Sequence, residues 1–456
     1  MPFVLNRVER GRYLDSVALM RLSRRLSALP GVEEASLMIG SPSNKALLRD
    51  AGLLAPEGED AGANDLVIAL RATDERLGQA ALRSALEVQR EHISSETLPR
   101  VGSLATALDV LPHANLALIS LPGEFAMAEA RKALNAGLHA LVFSSGVPLE
   151  EERALKLLAR GKGLLLMGPD CGTALIAGTP LAFANAVPRG DIGIVSASGT
   201  GLQEVSCLLA RMGRGVSHGI GVGGRDLDER VGALATLAAI DALEQDPGTA
   251  TIVLLSKPPA PAVAEKVLER LARCRKKSVV CFLGLDKPGM APTLLAAAEM
   301  AAGAKIENEK QKTGSCPGRV QGLYCGGTLC TEAELIFKRR GLQGHRFIDL
   351  GDDRYTRGRP HPMIDPEIRN AHLAAAAADP AVGVILVDVV LGYGAHADPG
   401  GVLLSVKSEK TIIASVTGTD DDPQVRSRQV AKLREAGVLV APSNAHAAQL
   451  AAALVS

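Results

Sequence analysis

A chain of 456 residues has room for about three domains. Apolar residues make up 47% and charged residues 22%, a balance that excludes a disordered chain. With 50 basic and 50 acidic side chains, 7 Phe, 4 Tyr and no Trp, the composition argues against a broad polyanion surface and against aromatic platforms for single strands, so no nucleic-acid partner is expected.

Seven Cys form neither a CxxC pair nor a zinc spacing, which reads as reduced thiols in the cytoplasm and no metal site. The first residues carry Arg7, Glu9, Arg10 and Arg12 and lack the apolar core of a signal peptide. No run of about 18 uncharged apolar residues predicts a membrane span.

Taken in chain order, residues 1–95 predict a small α+β module of ferredoxin- or ACT-like type. PFVLNRV, VEEASLMIG and DLVIALRA read as strands. Helices are expected from Leu14 to Leu29 and from Thr73 to about Glu91, with the polar stretch APEGEDAGAND as a loop. Such a unit serves pairing or docking. Residues 96–190 alternate strand and helix: ANLALISLP, EFAMAEARKALNAG, HALVFSS, PLEEERALKLLARGKG and LLLMGPDCG. That order predicts a parallel, Rossmann-like sheet, truncated because the Gly-rich loop after a first strand is missing.

Residues 191–306 and 320–456 read as one unit repeated, joined by the charged linker 307–319. SASGTGLQEVSCLLARMGRG lies over YCGGTLCTEAELIFKRRGLQ, DPGTATIVLLSK over DPAVGVILVDVV, and KKSVVCFLG over EKTIIASVTG. Gly199-Thr200 falls on Gly327-Thr328, and Glu204 on Glu332. Each copy predicts a flavodoxin-like doubly wound sheet, making the whole an α/β protein. Each copy opens with a strand, a small-residue turn and a helix. Backbone N–H groups and the positive end of the helix then converge at the carboxyl edge of the sheet, a natural seat for phosphate, and close strand–helix packing also wants glycine there.

Other residues sit at the same edge. Arg225 and Arg354, at equivalent strand ends, suit a carboxylate or phosphate clamp or a pairing with the neighbouring Asp. The loop YTRGRPHPMIDPE offers Arg357, Arg359 and His361 for an anionic substrate or acid–base work, or is a solvated insertion. His396, near Asp398 in GYGAHADPGG, is a general-acid candidate. His218 reads as a buried strand histidine, Lys257 as an edge-lining or solvated cation, and Cys325 and Cys330 as packing residues.

GPDCGTALI, GDIGIVSASGTGLQEVS and HGIGVGGRDL resemble the α subunit of succinyl-CoA synthetase. RVQGLYCGGTLCTEAELI through FIDLGDD is similar to the carboxyl domain of its β subunit. The fused order with an extra amino-terminal domain resembles the FdrA family of predicted acyl-CoA synthetases. The resemblance implies a phosphate cradle of Ser198, Gly199, Thr200 and Gly201 with Gly326, Gly327 and Thr328. It also implies a histidine-supporting role for Glu204 and its counterpart Glu332, and a place near the CoA thiol for Asp170 and Cys171. The family's phosphorylated histidine is missing from LDKPGMAPTLLAAAEMAAG, the CoA-seating loop is absent, and no ATP-grasp domain is present. A covalent phosphohistidine at that position is therefore excluded, and CoA remains only a possible ligand.

The resemblance further implies partner subunits in a hetero-oligomer or a homodimer, and exchange of carbamoyl groups between oxamate and phosphate in allantoin breakdown, with carbamoyl phosphate as substrate or product. A ligase that borrows nucleotide and CoA sites from partners, and a non-catalytic scaffold, are the alternatives.

Overall fold

In the computed structural model, residues 2–12, 14, 16–93, 101–308, 314–356 and 360–455 are described; Arg357 and Arg359 lie outside them. The chain divides into two compact units: Met1–Ala114 with Ser120–Pro122 and Thr356–Pro360, and Asn115–Ile119 with Gly123–Tyr355 and His361–Ser456.

The first unit runs β1 (Phe3–Glu9), α1 (Ser16–Ser27), β2 (Val32–Ile39), α2 (Pro42–Asp50), α3 (Pro56–Glu59), β3 (Leu66–Ala72), α4 (Glu75–Ile93) and α5 (Leu104–Val110). Its antiparallel sheet has the order β1-β3-β2. The central strand LVIALRA is buried on both faces, Leu66, Ile68 and Leu70 in a core with α1 and α4, Val67 and Ala69 in one with Leu48 of α2. The stretch expected as a loop contains the one-turn helix α3, whose proline stands in the first turn, where its missing N–H costs nothing.

The second unit begins with β4 (Leu116–Ile119), α6 (Gly123–Asn135), β5 (His139–Val142), α7 (Leu149–Gly161) and β6 (Leu166–Met167), a three-stranded parallel sheet. Next come β7 (Thr173–Ile176), β8 (Thr179–Ala182), β9 (Arg189–Ser196), α8 (Gly199–Arg211), β10 (Val216–Gly221), α9 (Leu234–Gln245), β11 (Thr251–Ser256), α10 (Pro261–Ala272), β12 (Lys277–Phe282) and α11 (Leu294–Ala302). The sheet order is β12-β11-β9-β10-β7-β8. The hairpin β7–β8, on the amino-terminal side of residue 190, is antiparallel and pairs through β7 with β10, so it extends this sheet.

The last sheet comprises β13 (Arg319–Tyr324), α12 (Gly327–Arg339), β14 (Arg346–Asp349), α13 (Asp353–Thr356), α14 (Glu367–Ala378), β15 (Val382–Val390), α15 (Pro399–Leu404), β16 (Thr411–Thr417), α16 (Arg426–Glu435), β17 (Leu439–Ala441) and α17 (Asn444–Leu454). All its pairings are parallel, in the order β14-β13-β15-β16-β17. The parallel strands β12-β11-β9-β10 repeat that pattern, so the internal duplication extends to topology. Central strands such as TIVLLS and VILVDVV are buried throughout and mostly apolar because helices cover both faces.

The two large sheets lock together through four helices. Glu204 of α8 accepts from the backbone N–H of Asn444, the first residue of α17 (3.0 Å), and from the Thr417 hydroxyl. Glu332 of α12 accepts from the backbone N–H of Leu294, the first residue of α11 (2.6 Å), and from Asn444 Nδ2 (2.7 Å). Each glutamate thus satisfies an orphan N–H of the other sheet's final helix, where a negative charge is also favoured by the helix dipole. Ser443 and Thr293 complete the caps through His446 N and Ala296 N. Burial pushes the Glu332 carboxyl up to about 7, with the Glu204 charge adding to the effect.

Replacing Asn444 with Ala removes a donor to Glu332 and one to Leu329 O. Urea unfolding is expected to show a loss of about 1–3 kcal/mol, and an unchanged midpoint would refute the interlock. Glu332 also sets a pH dependence. Its folded carboxyl holds a proton that the unfolded one has released, so stability falls as pH rises from about 4.5 to about 7. Glu332→Gln should flatten that part of the stability profile, whatever its effect on absolute stability.

Candidate functional site

The two repeated turns meet. Ser198 Oγ lies 2.6 Å from Thr328 Oγ1. A side chain on Gly326 would come within 2.9 Å of Thr200 Cγ2, so the closeness of the two helix starts requires glycine there.

The turns differ in how their backbone groups are used. In the first, Ser196 Oγ accepts from Ser198 N (3.1 Å) and donates to Ser198 O (2.7 Å), and Ser198 caps Gly201 N (2.9 Å). In the second, Asp388 of β15 reaches across and accepts from Cys325 N and Gly326 N, both at 2.7 Å. Arg369 of α14 backs it, donating to Asp388 O (2.6 Å) and to Cys325 Sγ (3.3 Å). Burial pushes the Asp388 carboxyl up to about 6, against the pull of Arg369. No side chain caps α12, so the N–H groups of its first turn are left for other acceptors. A side chain on Gly327 would collide with Asp349 Oδ2 and lie 3.0 Å from Lys257 Nζ. Lys257 comes from the first sheet and Asp349 from the second. Burial raises the Asp349 carboxyl, and Lys257 opposes the shift.

Around this junction lies a mixed-charge cleft. Lys257, Arg225 and Arg230 border an open recess of about 530 Å³. Asp170, in the left-handed region with φ of 57°, is exposed as a residue, yet desolvation by the surrounding protein, followed by the charge of Asp353, pushes its carboxyl up to about 6. Arg225 does not pair with its chain neighbour. It forms an ion pair with Glu152 (2.7 Å) and donates to Val147 O (2.9 Å), while Asp226 pairs with buried Lys156 (2.8 Å) and caps α9 at Thr236 N (2.8 Å).

The remaining residues singled out in the sequence lie in varied surroundings. Glu204 and Glu332 are buried helix caps at the sheet interface, with both oxygens of each occupied by the donors named above. Gly201 N–H and Gly326 N–H are already bonded inside the protein. Cys171 is buried, its thiol bonds Thr173 O and Gly221 O, and burial pushes it up to about 12. Arg354 is exposed, pairs with Asp352 (3.3 Å) and lies over the Tyr355 ring. His396 accepts from Asp398 N through Nδ1 (3.0 Å), and Asp398 caps α15 and pairs with Lys432. His361 accepts from Met363 N through Nδ1 (3.2 Å), which leaves its proton on Nε2. Burial holds it down to about 4, so at neutral pH it is a neutral donor rather than a base. His218 is half-buried on β10 and accepts from Ala177 N (3.1 Å). Asp349, Asp388 and Arg369 were not foreseen; the only signal was a buried-type strand, VGVILVDVV, interrupted by an Asp.

The cysteines provide a simple check. Cys274 and Cys316 are half-buried; Cys171, Cys207, Cys281, Cys325 and Cys330 are buried. A disulfide reagent should therefore react quickly with those two thiols in the native protein and with the remainder only after unfolding. Rapid labelling of Cys325 would contradict the packing of the second turn.

Comparison with known proteins agrees with this architecture. Residues 323–454 match the family model described as CoA-ligase, and residues 1–98 the model described as AllF, heavy metal-associated domain. Residues 1–98 contain no Cys and a single His, His92, a donor set that does not suit a soft metal. Escherichia coli (strain K12) YahF is 43% identical, with 96% of each chain covered. The α subunit of ADP-forming succinate–CoA ligase from Aquifex aeolicus is 31% identical over 32% of this chain and 48% of that subunit. Subunit SauD of the ADP-forming sulfoacetate–CoA ligase from Bilophila wadsworthia is 26% identical over 38% of this chain and 59% of its own length. No helix among the described residues is long and apolar enough to cross a membrane. The full-length match and the two family models together place the chain in the YahF family, as a succinyl-CoA-ligase-like protein with an AllF-type N-terminal domain.

Proposed function

We propose that this protein is a subunit of an FdrA-type enzyme that moves a carbamoyl or acyl group to or from phosphate, and that the phosphate sits where α8 and α12 meet. The observation that carries the reading is the side-chain-uncapped start of α12, pressed against the start of α8 and flanked by Lys257. First-turn N–H groups, the Thr328 hydroxyl backed by Ser198, and one ammonium would hold an oxyanion without an excess of basic residues. Catalysis would come from placing phosphate against the carbonyl carbon and from fixed dipoles that stabilise the tetrahedral oxyanion. This chemistry needs no phosphohistidine, in keeping with the absence of histidine from residues 283–306.

In this reading the two large sheets are flavodoxin-like, succinyl-CoA-synthetase-type domains, and the three-stranded sheet is a truncated CoA-binding-type domain. The AllF-type N-terminal match supports a role in allantoin breakdown, with the carbamoyl group passing from N-carbamoyl-oxamate to phosphate, oxamate released, and partner subunits in the cytoplasm. The CoA-ligase match favours a second reading, an acid–CoA ligase completed by partners that bind nucleotide.

Calorimetric titration of the full chain separates the two. Phosphate and carbamoyl phosphate should bind, and Thr328→Val with Lys257→Ala should weaken both by about tenfold or more. Tight CoA binding without phosphate binding, or transfer of label from γ-labelled ATP to a histidine, would favour the ligase instead.

A further inference from the structure

We propose that Asp349 makes this cleft selective for an oxyanion that still carries a proton, so that it takes phosphate and rejects sulfate. The inference rests on the phosphate reading above and adds which anion the site accepts.

The two oxygens of Asp349 have different surroundings. Oδ1 accepts from Gly351 N–H at 3.0 Å. Oδ2 is turned toward Gly327, where the missing side chain leaves the carboxylate facing the start of α12. Lys257 Nζ, from the opposite sheet, flanks the same point. An anion drawn in by the ammonium and by the first-turn N–H groups therefore meets an acceptor-only carboxylate oxygen. Sulfate would set lone pair against lone pair and charge against charge. A phosphate that retains a P–OH turns the same encounter into a donated hydrogen bond. The acceptor is thus a repulsive element against the wrong ligand as well as a contact for the right one.

Further groups stand behind this point. Asp388 already takes Cys325 N–H and Gly326 N–H, so a second carboxylate lies beneath the turn, with Arg369 set against it. His361 stands at the same corner. A side chain on Gly351 would come within 2.6 Å of its Nε2 and 3.3 Å of Asp349 Oδ1. A site meant only for a fully ionised anion would have no use for Asp349.

Titration calorimetry of the full chain with inorganic phosphate and with sulfate tests this at about pH 8, where phosphate still holds one proton and sulfate holds none. Phosphate is expected to bind at least about tenfold more tightly than sulfate. Asp349→Asn, whose amide can donate, should close the gap to within about threefold, chiefly by gaining sulfate affinity. Asp349→Ser supplies the same comparison if the Asn variant folds poorly. Equal affinities in the wild type, or a preference that survives both substitutions, would overturn the proposal and leave the phosphate site standing. Binding of neither anion would overturn the phosphate reading itself.

Discussion

Two buried glutamates hold this molecule's functional geometry in place. A carboxylate stripped of water is costly unless every lone pair finds a donor, and here the donors are helix starts of the opposite sheet. Glu204 belongs to α8 yet caps α17, and Glu332 belongs to α12 yet caps α11. Asn444 ties both together with its backbone and side-chain nitrogens. The two sheets cannot slide without uncovering these charges, and the Ser198–Thr328 contact inherits that rigidity.

Duplication supplies the symmetry, and divergence at a few positions breaks it. In the first copy, serines at positions 196 and 198 bond the turn's own backbone and close it locally. In the second copy those positions are Tyr324 and Gly326, and a buried Asp–Arg pair from the neighbouring strand and helix holds the turn instead. The first helix start is therefore capped, and the second is left open. One copy became the structural partner and the other the side that faces Lys257 and Asp349.

Much of this was legible in the residues. The alternation of apolar runs with 3.6-period segments marked the parallel units, and the aligned Gly-Thr pairs marked the two turns. The hairpin β7–β8 was missed because its four-residue strands are too short for a clear period. Glu204 and Glu332 were recognised as equivalent, but their equivalence said nothing about where they point. The same sequence match that suggested a catalytic role fits a capping role, because a carboxylate five positions into a helix can face either the cleft or the interface. Cys171 and Asp170 part for the same reason: their adjacency suggests a shared site, yet the side chains at this turn go to opposite sides, Asp170 outward and Cys171 into the core.

The sequence by itself determined the α/β class, the internal repeat and the positions where backbone must approach backbone, since these follow from local periodicity and from glycine at close contacts. Only the tertiary structure decided which groups do what at the junction. Arg225 answers to Glu152, 73 positions away, Asp388 answers to the turn at Cys325, and Lys257 and Asp349 meet at Gly327 from different sheets. Such partnerships depend on side-chain direction and burial after folding, and no spacing along the chain encodes them.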